Sequence, residues 1–252
     1  MTREELRAAG CDVRDADYTR LAVLVDALRD ENARLNLTSA RALADVWRVH
    51  ILDSLAVLPV LDELARAAAE RAACRPSPPG TPSEPARPVR VVDIGCGGGL
   101  PGLPLACVRP DIRFTLIDAT RRKTEAVRRM VDRLALPNVD VVWGRAEVLA
   151  ASPAHRGQYD VALARAVAEL RVLLGYVAGF LRVGGEAWIH KTIAAADAEV
   201  AASAEVARRV GLVSAGRRSY RWYEDRPAEH VLIGFRKVAR GGRGRKEPIE
   251  AG

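Results

Sequence analysis

The chain has 252 residues, 49% of them hydrophobic and 28% charged, enough for one sizeable core with an appendage rather than two equal domains. No apolar run approaches the length of a membrane span, and the opening MTREELRAAG carries both charge signs where a secretory signal needs an apolar stretch, so a cytoplasmic protein is expected. The formal net charge of +7, with basic clusters at Arg121, Arg122 and Lys123, at Arg217, Arg218 and Arg221, and in GGRGRK, fits a polyanionic partner or a merely solvated basic surface, while Cys11, Cys74, Cys96 and Cys107 lack the spacing of a zinc site or a disulfide framework, and no metal is expected.

Residues 17–69 read as helices, with Leu21, Leu24, Val25, Leu28 and Leu35 recurring at helical spacing, and residues 1–70 are expected to form a small helical segment. Thr38 and Ser39 follow Asn36 and Leu37, so a cap there opens a second helix that includes Leu43, Val46 and Trp47. In VHILDSL, His50 and Asp53 sit three apart on one helical face. The expected role of that pair is a helix-capping or packing contact between the N-terminal segment and the sheet; the other reading is that it helps to close a cofactor pocket from above. Residues 71–88 are so rich in Pro, Ser and Ala that they are expected to be a flexible linker or loop.

From residue 89 the pattern changes. The short runs VRVVDI, RFTLID, VDVVWG, YDVALA and EAWIHK are strand-like, and helical stretches over 121–134, 168–181 and 194–210 separate them. This alternation predicts βαβ units and a parallel sheet covered on both faces. The last run, HVLIGFRKV, follows a long piece that reads as irregular, without a helix, so it is expected to pair antiparallel. One domain over residues 89–240 and a basic flexible tail over 241–252 complete the expected organisation.

The stretch DIGCGGGLPG, residues 93–102, is the chemical centre of the sequence. Gly97, Gly99 and Gly102 match the dinucleotide pattern G-x-G-x-x-G, in which backbone amides approach a pyrophosphate at a helix N-terminus. Asp93 followed by Gly95, Gly97 and Gly99 matches instead the spacing with which methyltransferases pass the backbone under the amino-acid part of S-adenosylmethionine, where a Cβ would collide with the ligand. Asp118, at the end of the next strand, suits ribose hydroxyls in either case. Gly144, Arg145, Ala146 and Glu147 close the third strand, where methyltransferases hold adenine, and tilt the choice to S-adenosylmethionine. Two rivals stay open: a nicotinamide-dependent oxidoreductase using the same glycines, and a non-catalytic RNA-binding protein with this fold.

Taken together, NLTSAR (36–41), VHILDSL (49–55), DIGCGGGLPGLPLA (93–106), FTLIDA (114–119), LPNVDVVWGRAE (136–147) and ARAVAEL (164–170) resemble the bacterial RsmG, or GidB, family of guanine-N7 methyltransferases of small-subunit ribosomal RNA. The resemblance covers nearly the whole chain in order. It implies an α/β fold, a Rossmann-like class I methyltransferase sheet with a small helical N-terminal segment. It also implies S-adenosyl-L-methionine as cofactor, 16S ribosomal RNA or the small ribosomal subunit as partner, no membrane, and a monomer.

Residue by residue, the resemblance puts Gly95, Gly97 and Leu100 at the amino-acid and ribose end of the cofactor, Asp118 at the ribose, and Ala146 and Glu147 at the adenine. Arg165, which ends the fourth strand, falls at the active-site mouth, among the cofactor-binding and substrate-positioning residues. Lys191 matches a family lysine usually followed by glycine, but Thr192 follows here. Where the family shows a lysine–arginine pair, this chain has Arg121, Arg122 and Lys123; these three and Lys191 are the candidate RNA contacts. Guanine N7 carries a free lone pair, so no general base is expected.

Overall fold

The computed structural model describes residues 1–74, 87–221 and 229–238. In chain order the elements begin with α1 (Arg3–Ala8), α2 (Asp15–Leu35), α3 (Ala40–Ala44), a π-helical turn (Trp47–Leu52), α4 (Asp53–Leu55) and α5 (Leu58–Ala73). They continue with β1 (Arg90–Ile94), α6 (Gly102–Val108), β2 (Arg113–Asp118), α7 (Arg121–Leu134), β3 (Val139–Trp143), α8 (Ala146–Leu149) and β4 (Tyr159–Arg165). The last are α9 (Leu170–Phe180), β5 (Leu181–Thr192), α10 (Ile193–Arg209), β6 (Leu212–Tyr220) and β7 (His230–Lys237).

Seven strands form one sheet in the order β3-β2-β1-β4-β5-β7-β6. The first five in this order are parallel, and β7 runs antiparallel to both β5 and β6. This is the expected Rossmann-like methyltransferase sheet. The chain order reverses between β1 and β4, and in an open α/β sheet that switch point leaves a crevice beyond the carboxyl ends of the strands.

Each face of the sheet buries its own cluster. On one, Val91, Phe114 and Leu116 pack with Leu103 of α6, Val127 and Met130 of α7, and the N-terminal residues Leu24, Leu28, Ile51 and Leu55. On the other, Val92, Ile94, Ile117 and Ala162 meet Leu173, Leu174 and Val177 of α9. The N-terminal helices thus share the core of the sheet. A bidentate pair fixes them further: Arg129 of α7 donates to both oxygens of the buried Glu31 of α2 at 2.9 and 2.6 Å.

The structure corrects the sequence expectations in four places. The supposedly irregular piece before the last run contains β6, a nine-residue strand. Its residues are mostly exposed or half-buried, so apolar periodicity could not mark it; backbone pairing with β7 along one edge forms it. Second, α5 continues through Ala73, into the expected linker, because Arg71, Ala72 and Ala73 are strong helix formers. The expected linker from residue 75 to 86 and the tail from 241 to 252 lie outside the described residues. Third, Leu181 starts β5 rather than ending α9, since it pairs with Tyr159. Fourth, the second helix expected after Asn36 opens at Ser39, whose Oγ accepts from the Ala42 amide at 3.2 Å, but it ends at Ala44: of its expected members only Leu43 belongs to it, Val46 precedes the π-helical turn and Trp47 begins that turn.

Candidate active site

The loop between β1 and α6 owes its path to glycines in the left-handed region, with φ of +69° at Gly95, +54° at Gly97 and +82° at Gly99. Two of them are also sterically required. A Cβ on Gly95 would lie 2.8 Å from Val167 Cγ2, and one on Gly99 would overlap the buried side chain of Leu103. Gly97 is different: a Cβ there would find only Gly95 O, at 4.0 Å. Space is therefore kept open beside the Gly97 backbone.

Two carboxylates hold this loop. Asp118 accepts from the Gly97 amide at 3.0 Å through Oδ2 and from the Thr120 amide at 2.7 Å through Oδ1. Asp93 accepts from the Gly102 amide at 2.8 Å and so braces the start of α6, while its Oδ1 is buried with no hydrogen-bond partner among the described residues. Burial raises the Asp93 carboxyl to about 7, against the opposing effects of the Gly102 amide and Arg165. A Cβ on Gly102 would sit 2.9 Å from that carboxylate, so the same glycine permits the brace.

Above the loop lies a cavity of about 450 Å³. Of the sequence-predicted residues, Gly95, Gly97, Leu100, Asp118, Lys123 and Arg165 line it. The other candidates stand outside its lining. Ala146 and Glu147 begin α8 beyond β3, and Glu147 is exposed with Arg145 3.8 Å away. Arg121 pairs with Glu125 at 2.9 Å and stacks on the exposed Trp143, with its guanidinium carbon 5.7 Å from the ring centre; Arg122 is exposed. Lys191 is bound to Glu199 of α10 at 2.6 Å and to the Ala168 carbonyl at 3.3 Å.

The sequence reading missed part of the wall: Leu37, Thr38, Cys96, Gly98, Ala119, Ala166 and Val167 also line the cavity. Thr38 lies in NLTSAR, which was readable as a cap signal but not as a ligand wall. Ala166 carries φ +53°, which L residues rarely adopt, and it turns the chain directly after Arg165.

Of the pair His50 and Asp53, the structure shows the packing contact and places only His50 at the cavity. His50 lines the cavity, and Asp53 is buried against Arg165. Arg165 Nη1 donates to Asp53 Oδ2 at 2.7 Å and to the Val49 carbonyl at 3.1 Å, and Nη2 lies 3.2 Å from His50 Nδ1. Tyr220 of β6 donates its hydroxyl to Asp53 Oδ1 at 2.6 Å. Burial opposes ionisation of Asp53, but His190, Arg165 and Tyr220 together hold its carboxyl below the usual range. Burial, then the Arg165 charge, depresses the His50 imidazole to about 4, so it is neutral at physiological pH.

Comparison with known proteins places these residues in a family. The family model described as GidB, rRNA small subunit methyltransferase G, matches residues 82–215. Proteins named ribosomal RNA small subunit methyltransferase G are similar at 38% identity in Deinococcus deserti, 36% in Sorangium cellulosum and 42% in Rubrobacter xylanophilus. These alignments cover 66%, 72% and 61% of this chain and span 59%, 67% and 51% of the respective relatives.

Proposed function

Because the chain belongs to the GidB family of small-subunit ribosomal RNA methyltransferases, we propose that it transfers a methyl group from S-adenosyl-L-methionine to N7 of a guanine in 16S ribosomal RNA. The observation that carries this reading is the Gly97 peptide. Its amide is held by Asp118 on one side, and on the other the position of a Cβ is open space within a ligand-sized cavity at the switch point of the sheet. Such a cradle fits S-adenosylmethionine: backbone under its amino-acid end, and an acidic side chain with remaining acceptor capacity for the ribose.

When bound, S-adenosylmethionine supplies an electrophilic methyl carbon on a positively charged sulfur. Guanine N7 is already nucleophilic, so the chain's residues have no proton to remove; their work is binding, orientation and exclusion of water. Gly95, Gly97, Leu100 and Asp118, which line the cavity, hold the cofactor, and its adenine extends beyond that lining toward Ala146 and Glu147, past the end of β3. Arg165 positions the acceptor base. Its ion pair with Asp53 matters here, because an uncompensated guanidinium would repel both a sulfonium and the cation that develops on the purine. Arg121, Arg122 and Lys123 at the start of α7 oppose the helix dipole, and phosphate binding would offset that conflict. Lys191 is a further RNA contact at the carboxyl end of β5, released from Glu199 on binding.

The test is transfer of a labelled methyl group into small ribosomal subunits or naked 16S RNA, with mass-spectrometric mapping of the product. Appearance of 7-methylguanine supports the reading. Absence of transfer, or stabilisation of the protein by NADH rather than S-adenosylhomocysteine in thermal melts, overturns it.

A further inference from the structure

Leu37, Thr38 and His50 of the N-terminal segment form part of the cavity wall, and its hydrogen bonds decide where protons sit. His50 Nδ1 faces Arg165 Nη2 at 3.2 Å and the Val49 carbonyl at 3.1 Å, while Nε2 lies 2.7 Å from Thr38 Oγ1. Arginine can only donate. If Nδ1 carried the ring proton, two donors would face each other at Arg165. The Val49 carbonyl does not need that proton, since Arg165 Nη1 already donates to it. The arrangement that leaves no conflict has Nδ1 accepting from Arg165 and Nε2–H donating to Thr38. The neutrality of His50 agrees with it.

The consequence falls on Thr38. Its oxygen is an acceptor for His50, so its own hydroxyl proton must point elsewhere, and the described residues offer it no acceptor. Its backbone is fixed, because the Thr38 amide donates to Asn32 Oδ1 at 2.7 Å. Thr38 therefore presents a single, oriented donor on the wall of the cavity.

Resting on the function proposed above, we propose that Thr38 is a substrate-positioning residue that donates its hydroxyl proton to the carbonyl oxygen of the acceptor guanine. On that base, O6 and N7 share one edge. A donor to O6 fixes the ring in its plane while leaving the N7 lone pair unengaged and available for transfer. Asp53 and Arg165 act through His50: they set its tautomer and so the direction of the Thr38 proton.

The experiment compares Thr38→Val, which is nearly isosteric but lacks the hydroxyl, with Thr38→Ser, which keeps it. Methyl transfer is measured on small ribosomal subunits from cells lacking the enzyme, and S-adenosylhomocysteine affinity by calorimetry. T38V is expected to lower kcat/KM for the subunit at least tenfold, leaving the S-adenosylhomocysteine Kd within twofold and the unfolding temperature unchanged, whereas T38S stays within about threefold of the wild type. Transfer by T38V at the wild-type rate overturns the inference alone. So does an equal loss of S-adenosylhomocysteine affinity, which would assign the hydroxyl to the cofactor's carboxylate. A wild-type chain without transfer overturns the proposed function, and this inference with it.

Discussion

Arg165 and Asp53 are 112 residues apart in sequence, yet their side chains meet at 2.7 Å inside the molecule, joining the end of β4 to the N-terminal helices. Breaking a buried pair leaves an uncompensated charge, so Asp53→Asn is expected to destabilise the fold by about 3 kcal/mol. Urea denaturation checks this; a loss below about 1 kcal/mol would mean that the pair is solvated in solution. Loss of methyl transfer should exceed what the unfolded fraction explains, because Arg165 and His50 lose their alignment.

The glycines of the loop should separate binding from folding. Gly97→Ala places a methyl group in open space, so its cost to stability is only the strain of a left-handed alanine, about 1–2 kcal/mol. It is expected to fold and to abolish S-adenosylhomocysteine binding by calorimetry. Gly99→Ala, whose Cβ meets Leu103, should show the reverse order of effects, with a lower melting temperature as its main defect. Tight binding by the Gly97 variant would sink the cradle assignment.

Asp93 makes a pH-dependent contribution whose sign can be worked out. Its carboxyl is raised to about 7 in the folded state, so between pH 4 and 7 the folded chain holds a proton that the unfolded chain has lost. Stability from this group is full below its unfolded value and declines as pH rises toward 7, by at most about 1.4 kcal/mol per unit. His50, depressed to about 4, contributes with the opposite slope over part of that range. The informative quantity is therefore the difference between wild type and Asp93→Asn. Relative to the variant, the wild type should lose stability from pH 4 to 7 and change little above it.

The basic start of α7 predicts a salt effect without loss of cofactor. Replacing Arg121 and Arg122 by alanine should weaken RNA binding and lower the slope of log affinity against log salt by about 1 to 2, the release expected for one or two phosphate contacts. Affinity for S-adenosylhomocysteine should stay within twofold, since neither side chain lines the cavity. An unchanged salt slope would return these arginines to the solvated surface.

How much of this was legible in the sequence differs by element. The strands β1, β2, β4 and β5 announced themselves as apolar runs because the sheet buries them on both faces. β6 did not, since its residues are mostly exposed or half-buried and backbone pairing holds it, yet it carries Tyr220, which orients Asp53. Likewise VHILDSL could be read as a helical motif, but not as the partner of Arg165.

The sequence by itself determined the parts whose physics is local. The left-handed turns of the loop demand glycine at 95, 97 and 99, the carboxylates Asp93 and Asp118 follow from strand ends, and the alternating pattern dictates a wound α/β sheet. Only the tertiary structure decided which polar groups face one another. Arg165 and Tyr220 come from stretches of chain distant from Thr38, His50 and Asp53, and no periodicity or spacing records their meeting. Their hydrogen bonds arise because the N-terminal helices bury Leu24, Leu28, Ile51 and Leu55 on the face of the sheet, and that packing closes the cavity wall.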